Sequence, residues 1–197
     1  MSADRETLSV YDAKAGDYAK LVTSTTDTPQ LTAFLDAISP NGRVLDLGCG
    51  PGNSAARFAH AGLTVDATDA SAEMVALASR QPGVTAWLAS FDEIEGTDIY
   101  DGIWANFSLL HAERHDMPRH LQALRQALKP GGVFHIGMKT GDGAERDGIG
   151  RYYTYYTADE LDGLLRAAGF EPFFSRTGVE EGLAGTMDPW ITLLCRG

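Results

Sequence analysis

Two periods alternate along the chain. Arg43–Leu47, Thr64–Thr68, Thr85–Leu88, Ile99–Ala105, Val133–Met138, Glu171–Arg176 and Trp190–Cys195 are short, mostly apolar runs of the kind buried strands show. Between them apolar residues recur at three- and four-residue steps. Asn53–Ala61 is such a stretch, closed by Gly62, and Ala72–Ser79 is another, with Ser71 placed to cap it. Asp116, Met117 and Pro118 start a helix with the stripe Leu121, Leu124 and Leu128. Thr157 and Glu160 form a capping box ahead of Leu161, Leu164, Leu165 and Ala168, and Gly169 ends that helix. Two further helices precede the first strand. Leu8, Tyr11, Ala15, Tyr18 and Val22 share one face, and after the polar break Thr23–Thr28 the stripe Leu31, Phe34, Leu35 and Ile38 follows Pro29. Lys129-Pro130-Gly131-Gly132 reads as a turn, Thr140–Arg151 as a mobile, glycine-rich charged loop, and Thr177–Pro189 as the connection of a long hairpin. Strands alternating with helices predict an α/β fold, a mainly parallel sheet with helices on both faces.

Composition narrows the function. With 197 residues, 44% of them hydrophobic and 22% charged, the chain reads as one domain with a substantial core. Net charge is −11, with no basic run, which argues against nucleic acid and against an anionic membrane surface as partners. No apolar run approaches the ~18 residues of a membrane span, and the first residues lack a signal-peptide pattern. The two cysteines, Cys49 and Cys195, show no metal-ligand spacing and no reason to pair, so the expectation is a cytoplasmic protein without a metal.

The chemistry is concentrated in Val44-Leu45-Asp46-Leu47-Gly48-Cys49-Gly50-Pro51-Gly52, a strand, a tight turn and the start of a helix. Ligands of open α/β sheets bind at such a place. The glycines allow positive φ and close approach of a ligand to the backbone. Their spacing is not that of a dinucleotide site, because Asn53 stands where a third close-packed glycine belongs. Asp46 adds a carboxylate, which suits a ligand with a cationic group and no pyrophosphate. Asp69 ends the second strand at about the offset (~20 residues) of an acidic ribose ligand, and an ionised carboxylate accepts from both hydroxyls of a diol.

The stretch Asp46-Leu47-Gly48-Cys49-Gly50-Pro51-Gly52 resembles motif I of the class I S-adenosylmethionine-dependent methyltransferases, and Leu128-Lys129-Pro130-Gly131-Gly132 resembles a second signature of that family. The appearance is that of the small bacterial types, including the tellurite- and thiopurine-detoxifying ones. The resemblance implies a Rossmann-like sheet of seven strands in the order 3-2-1-4-5-7-6, strand 7 antiparallel, over a single domain of residues 1–197. In that domain the helices of residues 1–40 cover the cofactor site and residues 41–197 form the core. It implies S-adenosylmethionine as cofactor, held by Asp46, Gly48, Cys49, Gly50, Gly52, Asp69, Ala70, Met74, Asn106 and Phe107. Where many relatives carry Gly-Asp-Ala for the adenine, this chain has Ala89, Ser90 and Phe91, so Ser90 and Phe91, with Asp92 as substitute, take that place.

The expected reaction is in-line methyl transfer to a small-molecule acceptor, for which alignment matters more than acid–base chemistry. His111 is the candidate base, ahead of His115 and Tyr153. Tyr11, His111, Lys139, Arg151 and Tyr153 are candidate substrate contacts, and the tyrosines between Tyr152 and Tyr156 form either an acceptor cage or an alternately buried strand. Packing residues are the competing reading for Tyr11 and, more strongly, for Tyr18. A binding module that keeps the cofactor and has lost turnover is the alternative. A nicotinamide dehydrogenase is disfavoured by Asn53.

Overall fold

Strands buried on both sides need helices on both sides, and the structure supplies them. The computed structural model describes residues 4–21 and 28–197; Val22 and most of the polar break after it lie outside the described residues. Strands β1 (Arg43–Leu47), β2 (Thr64–Asp69), β3 (Val84–Leu88), β4 (Tyr100–Asn106) and β5 (Leu128–Lys139) are parallel. A short ribbon follows, β6 (Ala144–Arg146) with β7 (Tyr152–Thr154), and then β8 (Glu171–Glu181) and β9 (Met187–Arg196). The sheet runs β3-β2-β1-β4-β5-β9-β8, with β9 antiparallel to both neighbours. With the ribbon set aside, this is the order 3-2-1-4-5-7-6.

Each strand divides its side chains between two cores. Val44, Val65, Trp104 and Val133 pack under α2 (Pro29–Ala37) and α3 (Asn53–His60), where Phe34, Phe58 and Trp104 meet with ring centroids 5.1 to 5.6 Å apart. Leu45, Leu47, Ile103, Phe134 and Ile136 pack on the other side under α5 (Met117–Ala127) and α6 (Ala158–Ala167). α6 begins with the predicted capping box of Thr157 and Glu160. Two helices remain. α4 (Ala72–Ala78) is capped by Ser71, and α1 (Arg5–Leu21) lies against it, with the Asp4 carboxylate accepting the Thr7 N–H at 2.8 Å. The strand order reverses between β1 and β4, so the crevice at their carboxyl ends is the natural ligand position.

Three local expectations are corrected. Lys129–Gly132 is not a turn ahead of β5 but a bulge within it: Leu128 pairs with Tyr100 and Val133 with Gly102. Gly131, at φ 74°, gives its N–H to the Gly197 carbonyl at 2.8 Å, so the last residue holds the bulge in the sheet. Thr140–Arg151 is not a plain loop. Asp147 accepts the backbone N–H groups of Ile149 and Arg151 and pairs with the buried Arg151 guanidinium at 2.7 Å, which ties the end of the β6–β7 ribbon. Arg146 of the ribbon pairs with Asp4 at 2.7 Å and so reaches α1. The β8–β9 hairpin is also longer than its apolar runs, because its outer half pairs backbone to backbone while its side chains stay exposed. Among the described residues no helix is long and apolar enough to cross a membrane.

Phe58 is fully buried between Phe34 and Trp104 and fixes α3 to the sheet. Phe58→Ala is expected to cost about 3–5 kcal/mol in urea denaturation, with an unchanged m-value.

Candidate functional site

The turn after β1 has its shape because three glycines take positive φ: 68° at Gly48, 53° at Gly50 and 84° at Gly52. Two of them are also closed in by protein. A Cβ on Gly48 would stand 2.3 Å from the Ser108 Cβ, and one on Gly52 would stand 2.9 Å from the Ala78 Cα. Gly50 is different: a Cβ there meets only Tyr18, at 3.6 Å, because this residue faces an open cavity. Gly48, Asp69, Ala70, Met74, Phe91, Asn106, Phe107, Tyr11 and His111 line the same cavity.

Asp69 holds the crevice in shape. One carboxylate oxygen accepts the Gly50 N–H and the other the Ser71 N–H, both at 2.9 Å. Asn106 is fixed from behind: the His135 Nε2–H donates to its side-chain oxygen at 2.9 Å, which leaves the amide nitrogen to donate. His135 itself is stacked on Trp104, and burial pushes its pKa down to about 3, so it is neutral. Phe107 has φ 55°, a conformation a bulky residue adopts only when its surroundings demand it. It stands where this cavity meets a second one.

The second cavity is lined by Tyr11, Tyr18, Phe107, Lys139, Arg151, Tyr153 and Trp190, with Glu180 and Glu181 of the β8–β9 hairpin at its exposed side. Between the cavities, Tyr11 and His111 are hydrogen-bonded at 2.9 Å, and Arg151 Nη1 donates to the Tyr11 oxygen at 3.1 Å. His111 Nδ1 lies 2.6 Å from the Tyr152 carbonyl, which can only accept. The proton is therefore on Nδ1, and Nε2 accepts from Tyr11. Burial pushes the His111 pKa down to about 4, against the pull of that carbonyl, so the ring is neutral.

Most of the residues singled out in the sequence thus meet, but six lie outside the lining of the two cavities. Asp46 is turned toward α3, where its carboxylate accepts the Ala55 N–H at 3.0 Å. Cys49 turns its thiol to the Gly50 carbonyl, Gly52 packs on α4, and Ser90 caps a short turn with Glu93. Asp92 pairs with Arg119, and His115 is exposed beside Glu113 and Asp116. Lys139 and Arg151 are present but already paired, with Asp188 and Asp147. Sequence reasoning missed Thr7, Ser108 and Trp190, and it read Tyr18 as packing although it borders both cavities. Tyr18 shares the helical spacing of Tyr11, the one signal that linked the two. Among the described residues no group of His, Cys, Asp and Glu could hold a metal ion.

A mainly parallel sheet with a glycine turn, an acidic residue at the end of β2 and a crevice at the strand reversal defines an α/β protein of the Rossmann-like class. Comparison with known proteins is more specific. Residues 44–132 match the family model described as "Methyltransferase domain". The chain is 34% identical over 151 residues to malonyl-[acyl-carrier protein] O-methyltransferase of Enterobacter lignolyticus, covering 73% of this chain and 53% of the relative. It is 30% identical over 154 residues to trans-aconitate 2-methyltransferase of Deinococcus radiodurans, covering 76% and 54%. The chain thus spans about half the length of these curated relatives. The crystal structure of Burkholderia thailandensis 1,6-didemethyltoxoflavin-N1-methyltransferase, with 1,6-didemethyltoxoflavin and S-adenosylhomocysteine bound, is similar at TM-score 0.77 and 28% identity, over 97% of this chain and 87% of that one. Residues 44–132 are thus a methyltransferase domain, and the chain is similar over most of its length to S-adenosylmethionine-dependent methyltransferases.

Burial pushes the Asp46 pKa up to about 7, opposed by the Ala55 N–H and aided by the nearby Asp69 charge. A carboxyl whose pKa is raised on folding stabilises the fold below the unfolded value and loses that contribution as pH rises through the folded one. Asp46→Asn keeps an acceptor for Ala55 and removes the charge. Its stability relative to the parent is expected to rise between about pH 4 and pH 7, by at most about 1.4 kcal/mol per pH unit, in thermal denaturation at a series of pH values. A difference that does not change with pH would contradict this.

Proposed function

We propose that this chain binds S-adenosylmethionine in the first cavity and transfers its methyl group to a small molecule in the second. The observation that carries the reading is the joining of the two cavities at Tyr11, Tyr18 and Phe107, one lined by the glycine turn and Asp69, the other by polar and aromatic side chains. The residues present fit the cofactor. Gly50 leaves the space a side chain would fill, and the buried Ser108 hydroxyl has no protein partner. Asp69 is the acceptor for a ribose diol, and Met74, Ala70 and Phe91 offer apolar surface to a base. Asn106 donates from an amide that His135 has already oriented. When bound, the cofactor supplies a methyl group activated on a sulfonium.

The chain's own part is alignment. It holds cofactor and acceptor on either side of Phe107, and the apolar and aromatic lining excludes water from the line between them. On this reading residues 1–40 cover the cofactor, residues 41–197 carry the sheet, and the whole acts as one unit on a small acceptor, not on nucleic acid or membrane. The free thiols of Cys49 and Cys195 agree with a reducing, cytoplasmic setting.

Calorimetric titration with S-adenosylmethionine and S-adenosylhomocysteine is expected to give one site for each. Asp69→Ala should lower both affinities roughly tenfold or more, since a charge-assisted bond is worth about 1.5–3 kcal/mol. Stabilisation by NAD with no binding of either compound would overturn the reading.

A further inference from the structure

The second cavity describes its occupant, and the inference that follows rests on the methyltransferase reading above. Its walls are flat: Tyr11, Tyr153, Phe107 and Trp190. Phe107 and Trp190 meet edge to face at 6.4 Å, and the Tyr153 ring lies 4.7 Å from the His111 ring. Neither cation of the cavity is free. Arg151 is neutralised by Asp147, Lys139 by Asp188, and each also lies over the Tyr153 ring. Glu180 and Glu181 add negative charge on the exposed side. A molecule with several carboxylates would enter against this field, with no unpaired cation among the described residues that line the cavity. A planar, uncharged ring finds matching faces.

The hydrogen bonds at the inner end run in one direction. Arg151 donates to Tyr11, Tyr11 donates to His111 Nε2, and His111 Nδ1–H donates to the Tyr152 carbonyl. Tyr11 borders both cavities. His111 also borders a third, polar cleft of mixed charge that opens to solvent, where Asp4, Glu113 and Asp116 stand beside Arg5, Arg119 and Arg146. The chain of bonds therefore leads from the acceptor cavity to His111, whose ring borders a polar cleft open to solvent.

We propose that the second cavity receives a planar, uncharged heteroaromatic acceptor with a ring N–H or O–H, and that this proton leaves through the Tyr11 hydroxyl to His111 Nε2. As the acceptor's proton moves to the Tyr11 oxygen, the proton of Tyr11 moves to Nε2. The electron pair left on the acceptor atom forms the new bond to the methyl carbon, and the pair of the broken carbon–sulfur bond stays on sulfur. One positive charge is lost at sulfur as one is gained at the imidazole, so the net charge of the site is unchanged. Tyr11 is the catalytic residue that touches the acceptor, and His111 is a positioning residue that acts through it. The groups facing His111 are Arg151 and Lys139, which oppose its protonation, Asp147, which favours it, the Tyr11 hydroxyl and the Tyr153 ring. The low basicity of the buried ring suits an acidic N–H or O–H and returns the proton quickly to the cleft.

The test uses the protein saturated with S-adenosylhomocysteine and three planar N–H compounds, lumazine, xanthine and alloxazine, with trans-aconitate as the polycarboxylate. At least one planar compound is expected to bind about tenfold more tightly than trans-aconitate by calorimetry, and to be methylated when S-adenosylmethionine is supplied. Trans-aconitate binding as tightly or more tightly overturns the proposal, and so does a panel in which no planar compound binds or none is methylated. Failure to bind S-adenosylhomocysteine at the outset overturns the methyltransferase reading instead.

For the methylated compound, Tyr11→Phe should lower kcat roughly a hundredfold while its Kd changes little. Parent kcat/KM should be flat from about pH 6 to the pKa of the compound. In His111→Gln it should rise about tenfold per pH unit over that range, because only the pre-ionised compound then reacts. Parent-like kcat and a flat profile in both variants would remove the proton route.

Discussion

The Asp69 carboxylate is the constraint on which the site depends. By taking the Gly50 and Ser71 N–H groups it joins the end of β2 to the glycine turn after β1 and to the start of α4. Ser71 in turn donates its hydroxyl to Asp12, so α1 is drawn over the same crevice. A loss at Asp69 would free three elements at once. Burial pushes its pKa up, so the site holds a carboxylate whose negative charge is poorly solvated and whose remaining lone pairs are available to a donor. A diol offers two such donors and no charge of its own.

The electrostatics of the rest follow the same pattern of groups kept neutral or paired. His111 and His135 are buried and uncharged, and each has its tautomer set by a partner that can act in only one way. Arg151 is held by Asp147 within a ribbon that Arg146 ties to Asp4 at the start of α1. The ribbon and α1 thus position Tyr11 from both sides. This explains why a charged, glycine-rich segment forms an ordered part of the cavity wall.

Local pattern carried the sheet and the turn. Apolar runs such as Val133–Met138 and spaced stripes such as Leu121 and Leu124 are decided within a few residues, and the glycines of the turn mark a backbone shape that few other residues reach. What the sequence withheld depends on distant pairing. The β6–β7 ribbon rests on one buried ion pair, and the Trp190 wall rests on the register of a long hairpin. Asp46 shows the converse: its motif is legible, but its direction is not, because the α3 N-terminus competes with a ligand for the same carboxylate. Tyr11 and His111 were legible as residues, whereas their hydrogen bond joins positions far apart in the chain.

Amide hydrogen exchange with and without S-adenosylhomocysteine tests the central claim most directly, because it reports where the ligand sits without depending on any acceptor. The account predicts new protection in the turn Gly48–Gly52, at Asp69–Ser71, around Phe91 and Asn106–Ser108, and along α1, with the β8–β9 hairpin tip little changed. Protection confined to other surfaces, or none at a saturating concentration, would contradict it.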